Sequence, residues 1–418
     1  MNLISLFCFI ITSITILSCI GKQRDIFSPT RLFVFIWSLA IGLAELKFSR
    51  FQHQWSLYGW AMLLLSIISF LIGVFAVYVI YYKKEILSFD EIRNIIQNTQ
   101  VDQKKFYYVI IILFVAYIIS YIVIVLVRGY VPILSNHPSE SRTQVDVFGF
   151  GLIIHGATSI MFFIVQYLLL IKQNSSRKIT LVIILLITFI TYFALLQRYD
   201  LVFWIIISLV FYYYSRKVRI RSVLLFVLGL LSIMYAIQNI RLSKYFAGYL
   251  YVFSEMKFSP KYAIFTEPYM YIVMNLENFT NAVTKITQHT FGYYTFNFIM
   301  SLTGLKHWIQ GYSNLDDAPF LNSGYNTYTM FWDFYRDFGA LGLGVISFSL
   351  GFLISTLYYK FRTKPNQHTL SLYSIGVFVI LFSFFIDPIG QLHFFFNTSL
   401  IFFITFVVLK ERDSKKII

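Results

Sequence analysis

The sequence predicts an all-α fold: a polytopic transmembrane helical bundle of about eleven spans with one large outer loop containing amphipathic helices. Three observations lead there. Hydrophobic residues make up 58% of the 418 residues and charged residues only 13%, against about one quarter charged in soluble proteins. Apolar runs of about 17 to 25 residues recur along the chain, each long enough to cross a hydrocarbon core of about 30 Å at about 1.5 Å per residue. Open strands would leave backbone polar groups unpaired in lipid, so these runs must be helices.

In chain order the expected spans are 2–20, 32–46, 57–82, 106–127, 149–171, 179–196, 200–215, 222–240, 338–359, 370–386 and 391–409. Cys8 and Cys19 both lie in the first run, which excludes a disulfide framework. Ile16-Leu17-Ser18-Cys19 is similar to a lipoprotein cleavage box, but no positive segment precedes it, so the run is expected to be a retained helix.

Topology follows from charge. With the amino terminus outside and the carboxyl terminus in the cytoplasm, the loops 21–31, 83–105, 172–178, 216–221 and 360–369 and the tail from Lys410 face inward. They hold 22 of the 34 Lys and Arg, as the positive-inside rule requires. The net charge of +15 is therefore a topology signal, and no nucleic-acid partner is expected.

Arg241 to about Asp337 then forms the large outer loop. Within it Val273, Leu276, Phe279, Val283 and Ile286 recur at helical spacing from Glu267 onward. This stripe lies on the membrane surface or packs on the bundle; the spacing leaves both open. No internal repeat or low-complexity linker divides the chain, which reads as one integral membrane domain, 1–418, with the loop 241–337 inside it.

Polar residues within or beside the spans gather on the outer half. Glu45 ends the second span, His155 lies a third of the way into the fifth, and Arg198 and Asp200 form the short turn between the sixth and seventh. Arg241 ends the eighth after Gln238 and Asn239, Asp387 ends the tenth, and His393 begins the eleventh. A charge at mid-helix costs about 2.5–3.5 kcal/mol on insertion scales, so such residues usually line a cavity or pathway. Transporters more often bind near the midplane on helices broken by Gly or Pro, whereas the prolines here fall in loops or at span ends.

Two guanidinium groups at the outer boundary, Arg198 and Arg241, suit a lipid diphosphate, because the planar fork binds phosphate in bidentate fashion. A nearby histidine or carboxylate could accept a proton from an attacking hydroxyl, with His155 and His393 as candidates. Each has a plainer reading as an interfacial anchor or packing residue. In the outer loop 128–147, Arg128, Arg142, His137 and Glu140 read as solvated. No Gly-rich phosphate loop, HExxH or Cys-His metal set is present, so neither cofactor nor metal is expected. Asp316-Asp317 reads as a solvated turn, and the Asn397-Thr398-Ser399 sequon is discarded because it lies inside a span.

The loop closes on Asn322 to Gly342. Tyr325-Asn326-Thr327-Tyr328-Thr329, then Asp333-Phe334-Tyr335-Arg336-Asp337-Phe338-Gly339 and Gly342 opening a span, resembles the bacterial Wzy-type oligosaccharide repeat unit polymerases of O-antigen and capsule synthesis. The arginine after the sixth span and another at the start of one dominant loop fit the same family, over roughly residues 190–345. The turn Gln197-Arg198-Tyr199-Asp200 departs from that family's small residue before arginine, and His289 and His307 are the loop histidines available as a base.

The resemblance implies a growing glycan carried on undecaprenyl diphosphate and transferred to a hydroxyl of a lipid-linked repeat unit on the outer face of the bacterial plasma membrane. It implies a flippase and a chain-length regulator (polysaccharide co-polymerase) as partners. Arg198 and Arg241 would hold the diphosphate, while Tyr325, Asn326, Tyr328, Asp333, Arg336 and Asp337 would form a sugar-binding wall with Trp332 and Tyr335. An O-antigen ligase, or a non-enzymatic flippase or transporter of lipid-linked oligosaccharide, are the alternatives.

Overall fold

A computed structural model describes residues 2–19, 25–99, 101–171, 175–218, 228–229, 232, 246–308 and 319–409, apart from the side chains of 306 and 307. Among them the fold is helical, with one isolated bridge, Ser49 to Met256, as its only strand-like pairing. Every expected span coincides with a helix except 222–240, which lies outside the described residues but for three positions. Five helices are long and apolar enough to cross a membrane. The chain is an integral, multi-pass membrane protein.

Local sequence explains where helices begin. Ser28, followed by Pro29, opens Pro29–Ala44, and the Ser56 hydroxyl accepts from Gly59 N at 3.0 Å to open Leu57–Tyr81. Ser88 and Glu91 make a reciprocal capping box for the short amphipathic helix Phe89–Asn98, which lies in the loop between spans and buries Ile92 and Ile96.

The described residues divide into two compact units. Unit 1 comprises Met1–Glu85, Tyr245–Tyr359 and Val379–Phe395. In it Leu3–Ser18 lies against Pro29–Ala44, joined by the buried Thr12 and Ser38 hydroxyls at 2.8 Å. Leu57–Tyr81 meets the long helix Phe331–Thr363 backbone to backbone: a Cβ on Gly73 would stand 2.1 Å from the Phe348 carbonyl oxygen, and one on Gly351 2.1 Å from that of Phe70. Reciprocal glycines of this kind let membrane helices approach without side chains between them.

The predicted loop helix is Thr266–Ala282, and its stripe of Val273, Leu276 and Phe279 is fully buried. It packs on Pro29–Ala44 and Leu57–Tyr81, so the stripe serves the bundle. Gly59 makes room, since a Cβ there would meet the Thr280 carbonyl oxygen at 2.9 Å.

Unit 2 comprises Ile86–Lys244, Lys360–Phe378 and Phe396–Ile418. Gln103–Arg128, Ser175–Ala194 and Tyr199–Ser215 surround the helix Ala157–Leu170, with Phe162, Phe163 and Phe203 fully buried. Ile112, Ile119 and Leu126, and likewise Ile183, Leu186 and Ile190, stay exposed along single helix faces, as lipid-facing surfaces do.

Candidate functional site

The segment 321–342 is suspended from the loop helix by two asparagines. Asn278 donates to the carbonyls of Tyr325 (2.6 Å) and Thr327 (2.9 Å) and accepts from Leu321 N (3.1 Å), while Asn275 accepts from the Thr327 hydroxyl. The helix is itself anchored by charge. Lys47 Nζ lies 2.6 Å from Glu277 and 3.3 Å from Glu45, over the Trp55 ring. Burial pushes the Glu277 carboxyl above the usual range, and Lys47 pulls it back.

Phe331–Thr363 starts seven residues before the predicted span at 338, and Gly339 breaks it at φ 61°, ψ −148°, a conformation open essentially to glycine alone. A Cβ there would also lie 2.9 Å from His289 Nε2. The break turns the short stretch 331–338 away from the direction of the span, and that stretch carries Asp333, Arg336 and Asp337.

Asp337 is fully buried and accepts from the Thr290 hydroxyl, Tyr294 N (3.2 Å) and Thr295 N (2.6 Å), clasping the turn 290–295. Arg336, 4% exposed, donates to the Gln288 carbonyl at 3.0 Å. The Asp333 and Asp387 carboxyls come within hydrogen-bond reach of each other. Asp387 also accepts from Ile389 N and Gly390 N, and burial pushes it up to about 7.

Tyr328 is stacked between Phe320 (4.7 Å) and Trp332 (4.3 Å), so its ring faces meet protein. Its hydroxyl is buried, has no hydrogen-bond partner among the described residues, and lies within electrostatic reach of Tyr294 and Arg336. Leaving such a group unsatisfied costs about 1–3 kcal/mol, which a bound polar ligand would recover. The Tyr325 hydroxyl bonds to Ser254 and that of Tyr335 to the Val283 carbonyl, while Asn326 is exposed. His393 lies in the first turn of Leu392–Val408 and is partly exposed.

Unit 2 holds the other expected residues. His155 Nδ1 lies 2.5 Å from Asp200 Oδ2, which also accepts from the Tyr192 hydroxyl. A carboxylate on Nδ1 orients the ring and fixes the tautomer that leaves Nε2 as the basic nitrogen. Arg198 precedes Tyr199–Ser215, and its carbonyl accepts from Val202 N. Arg241 and Asp316-Asp317 lie outside the described residues, as does the side chain of His307.

Sequence reading did not reach the union of Asp333 with Asp387, the Lys47–Glu277 anchor or the two asparagines. A signal for the first existed, since Asp387 stood at a span end among the outer polar residues.

A kinked membrane helix carrying Asp333, Arg336 and Asp337, with Tyr328 just ahead of it, sets a polar cluster in a multi-pass membrane protein. Residues 25–383 match the O-antigen polymerase family, and the chain belongs to it. This makes it a glycosyltransferase-type polymerase of polysaccharide biosynthesis. No curated protein and no solved structure matches the chain.

Proposed function

We propose that the chain extends a surface polysaccharide at the outer face of the bacterial plasma membrane, moving the growing glycan from undecaprenyl diphosphate to a hydroxyl of a lipid-linked repeat unit. The observation that carries this reading is a coincidence of position. The segment that resembles repeat unit polymerases is also the one that brings Arg336, Asp333 and the unsatisfied Tyr328 hydroxyl into unit 1's polar cluster. The outward orientation is supported by the concentration of Lys and Arg in alternate loops.

In this reading Arg198 and Arg241 bind the donor diphosphate and stabilise the charge it gains on leaving. The wall formed by 322–338 orients the incoming sugars. A flippase supplies the repeat unit, and a co-polymerase sets chain length.

The test is complementation of a deletion strain. Arg198→Ala and Arg241→Ala are expected to reach wild-type abundance in the membrane yet yield single repeats instead of a ladder. Ladders of wild-type length from both variants would refute the diphosphate clamp. Intact polymer retained on its lipid carrier in the deletion strain would identify a ligase instead. Purified protein that joins repeat units already facing outward would exclude a flippase.

A further inference from the structure

The glycosyl transfer proposed above, on which this inference rests, needs a group to take the proton of the attacking hydroxyl, and unit 1 brings two carboxyls together. Asp333 and Asp387 come from different helical regions, one from the stretch before the Gly339 break and one from the turn before Leu392–Val408, yet their carboxyls share a hydrogen bond. Asp387 is 3% exposed, whereas Asp333 is partly exposed, so the pair is reached from the Asp333 side.

Two further features describe the surroundings of the pair. A Cβ at Gly390 would stand 3.2 Å from Asp387 Oδ2, 3.6 Å from Asp333 Oδ2 and 3.0 Å from the Tyr294 carbonyl. Those distances leave little room for a side chain at 390, so the backbone there passes close beside both carboxyls. The Tyr328 hydroxyl, on a residue 8% exposed and with no hydrogen-bond partner among the described residues, lies within electrostatic reach of Tyr294 and Arg336. Burial raises its pKa, so the phenol stays protonated and can donate a hydrogen bond to a substrate oxygen.

We propose that Asp333 and Asp387 act as one acid–base unit, holding a single proton between them and accepting a second from the acceptor sugar hydroxyl. In that step the hydroxyl O–H bond breaks and its proton passes to the ionised member of the pair. The freed oxygen pair forms the bond to the reducing-end carbon of the donor glycan. The bond from that carbon to the diphosphate oxygen breaks, and the diphosphate leaves with the electron pair. Loss of the extra proton to water restores the pair.

The groups facing the pair set its pH response. Asp337 adds negative charge but is held by Thr290, Tyr294 and Thr295, while Arg336 and the protonated Tyr328 lie on the same wall. With Asp387 at about 7, both carboxyls are protonated in acid and one ionises as pH rises.

The experiment uses the full chain in liposomes, with the host strain's undecaprenyl-diphosphate-linked repeat unit as substrate. The wild-type rate is expected to climb about tenfold per pH unit below neutrality and level off above it. Asp387→Asn and Asp333→Asn are expected to lower kcat by about 10²–10⁴-fold while KM stays close to wild type. A wild-type rate that is flat from acid to neutral pH overturns the proposal, even if neither variant folds. So does a folded asparagine variant with wild-type kcat. Wild-type protein that never joins two repeat units overturns the transfer reading itself, and the role of the pair with it.

Discussion

Lys47→Met removes one charge and keeps the apolar stem, which isolates the anchor beneath the loop helix. Lys47 lies 2.6 Å from Glu277 and 3.3 Å from Glu45, and the Glu277 side chain is 1% exposed. Breaking a buried pair by removing one partner costs about 3–5 kcal/mol, because the remaining charge is left uncompensated. Protonation of Glu277 limits that cost. Burial already raises its pKa and Lys47 opposes the rise, so the variant's carboxyl moves further up. A folded-state pKa above the unfolded value means that the folded protein binds the extra proton, and stability falls as pH climbs through that window. The variant should therefore lose about 3–5 kcal/mol at about pH 8 and clearly less at about pH 5. Unfolding titrations in detergent micelles at both pH values measure this, and Lys47→Met with Glu277→Gln should recover most of the loss. A loss below about 1 kcal/mol at the higher pH, the size of a surface ion pair, would refute the anchor.

Two further outcomes follow from the geometry of the suspended segment. Asn278→Ala removes three hydrogen bonds to 321–327, and should lower stability by about 1–3 kcal/mol and shorten the glycan ladder at unchanged membrane abundance. Gly339→Ala places a side chain at φ 61°, ψ −148°, against His289. It should cost at least about 1–3 kcal/mol and abolish polymer, read from thermal unfolding and ladder gels; a variant as stable as wild type would show that the break is not strained.

The candidate residues were legible one at a time. His155 could be singled out because a polar residue inside a span is conspicuous against apolar neighbours, and Asp333, Arg336 and Tyr328 because their segment resembles the repeat unit polymerases. Their partners were not legible, since Asp387 lies far along the chain from Asp333, as Asp200 does from His155, and no local period links them. Asp337 looked like one of three charges on a sugar wall. The structure shows it fully occupied by backbone and hydroxyl donors of 290–295, an arrangement that depends on where that turn lands.

The sequence by itself determined the membrane-spanning helices, the helical stripe in the long loop and the segment 322–342, because hydropathy, capping and 3.6-residue periodicity act within about twenty residues. Only the tertiary structure decided that the stripe serves the bundle, that Gly339 breaks the motif helix, and that Asp333 and Asp387 come together. Those outcomes depend on which helix faces meet and how much water they exclude, and burial together with proximity governs both the state of a carboxyl and the partner it finds.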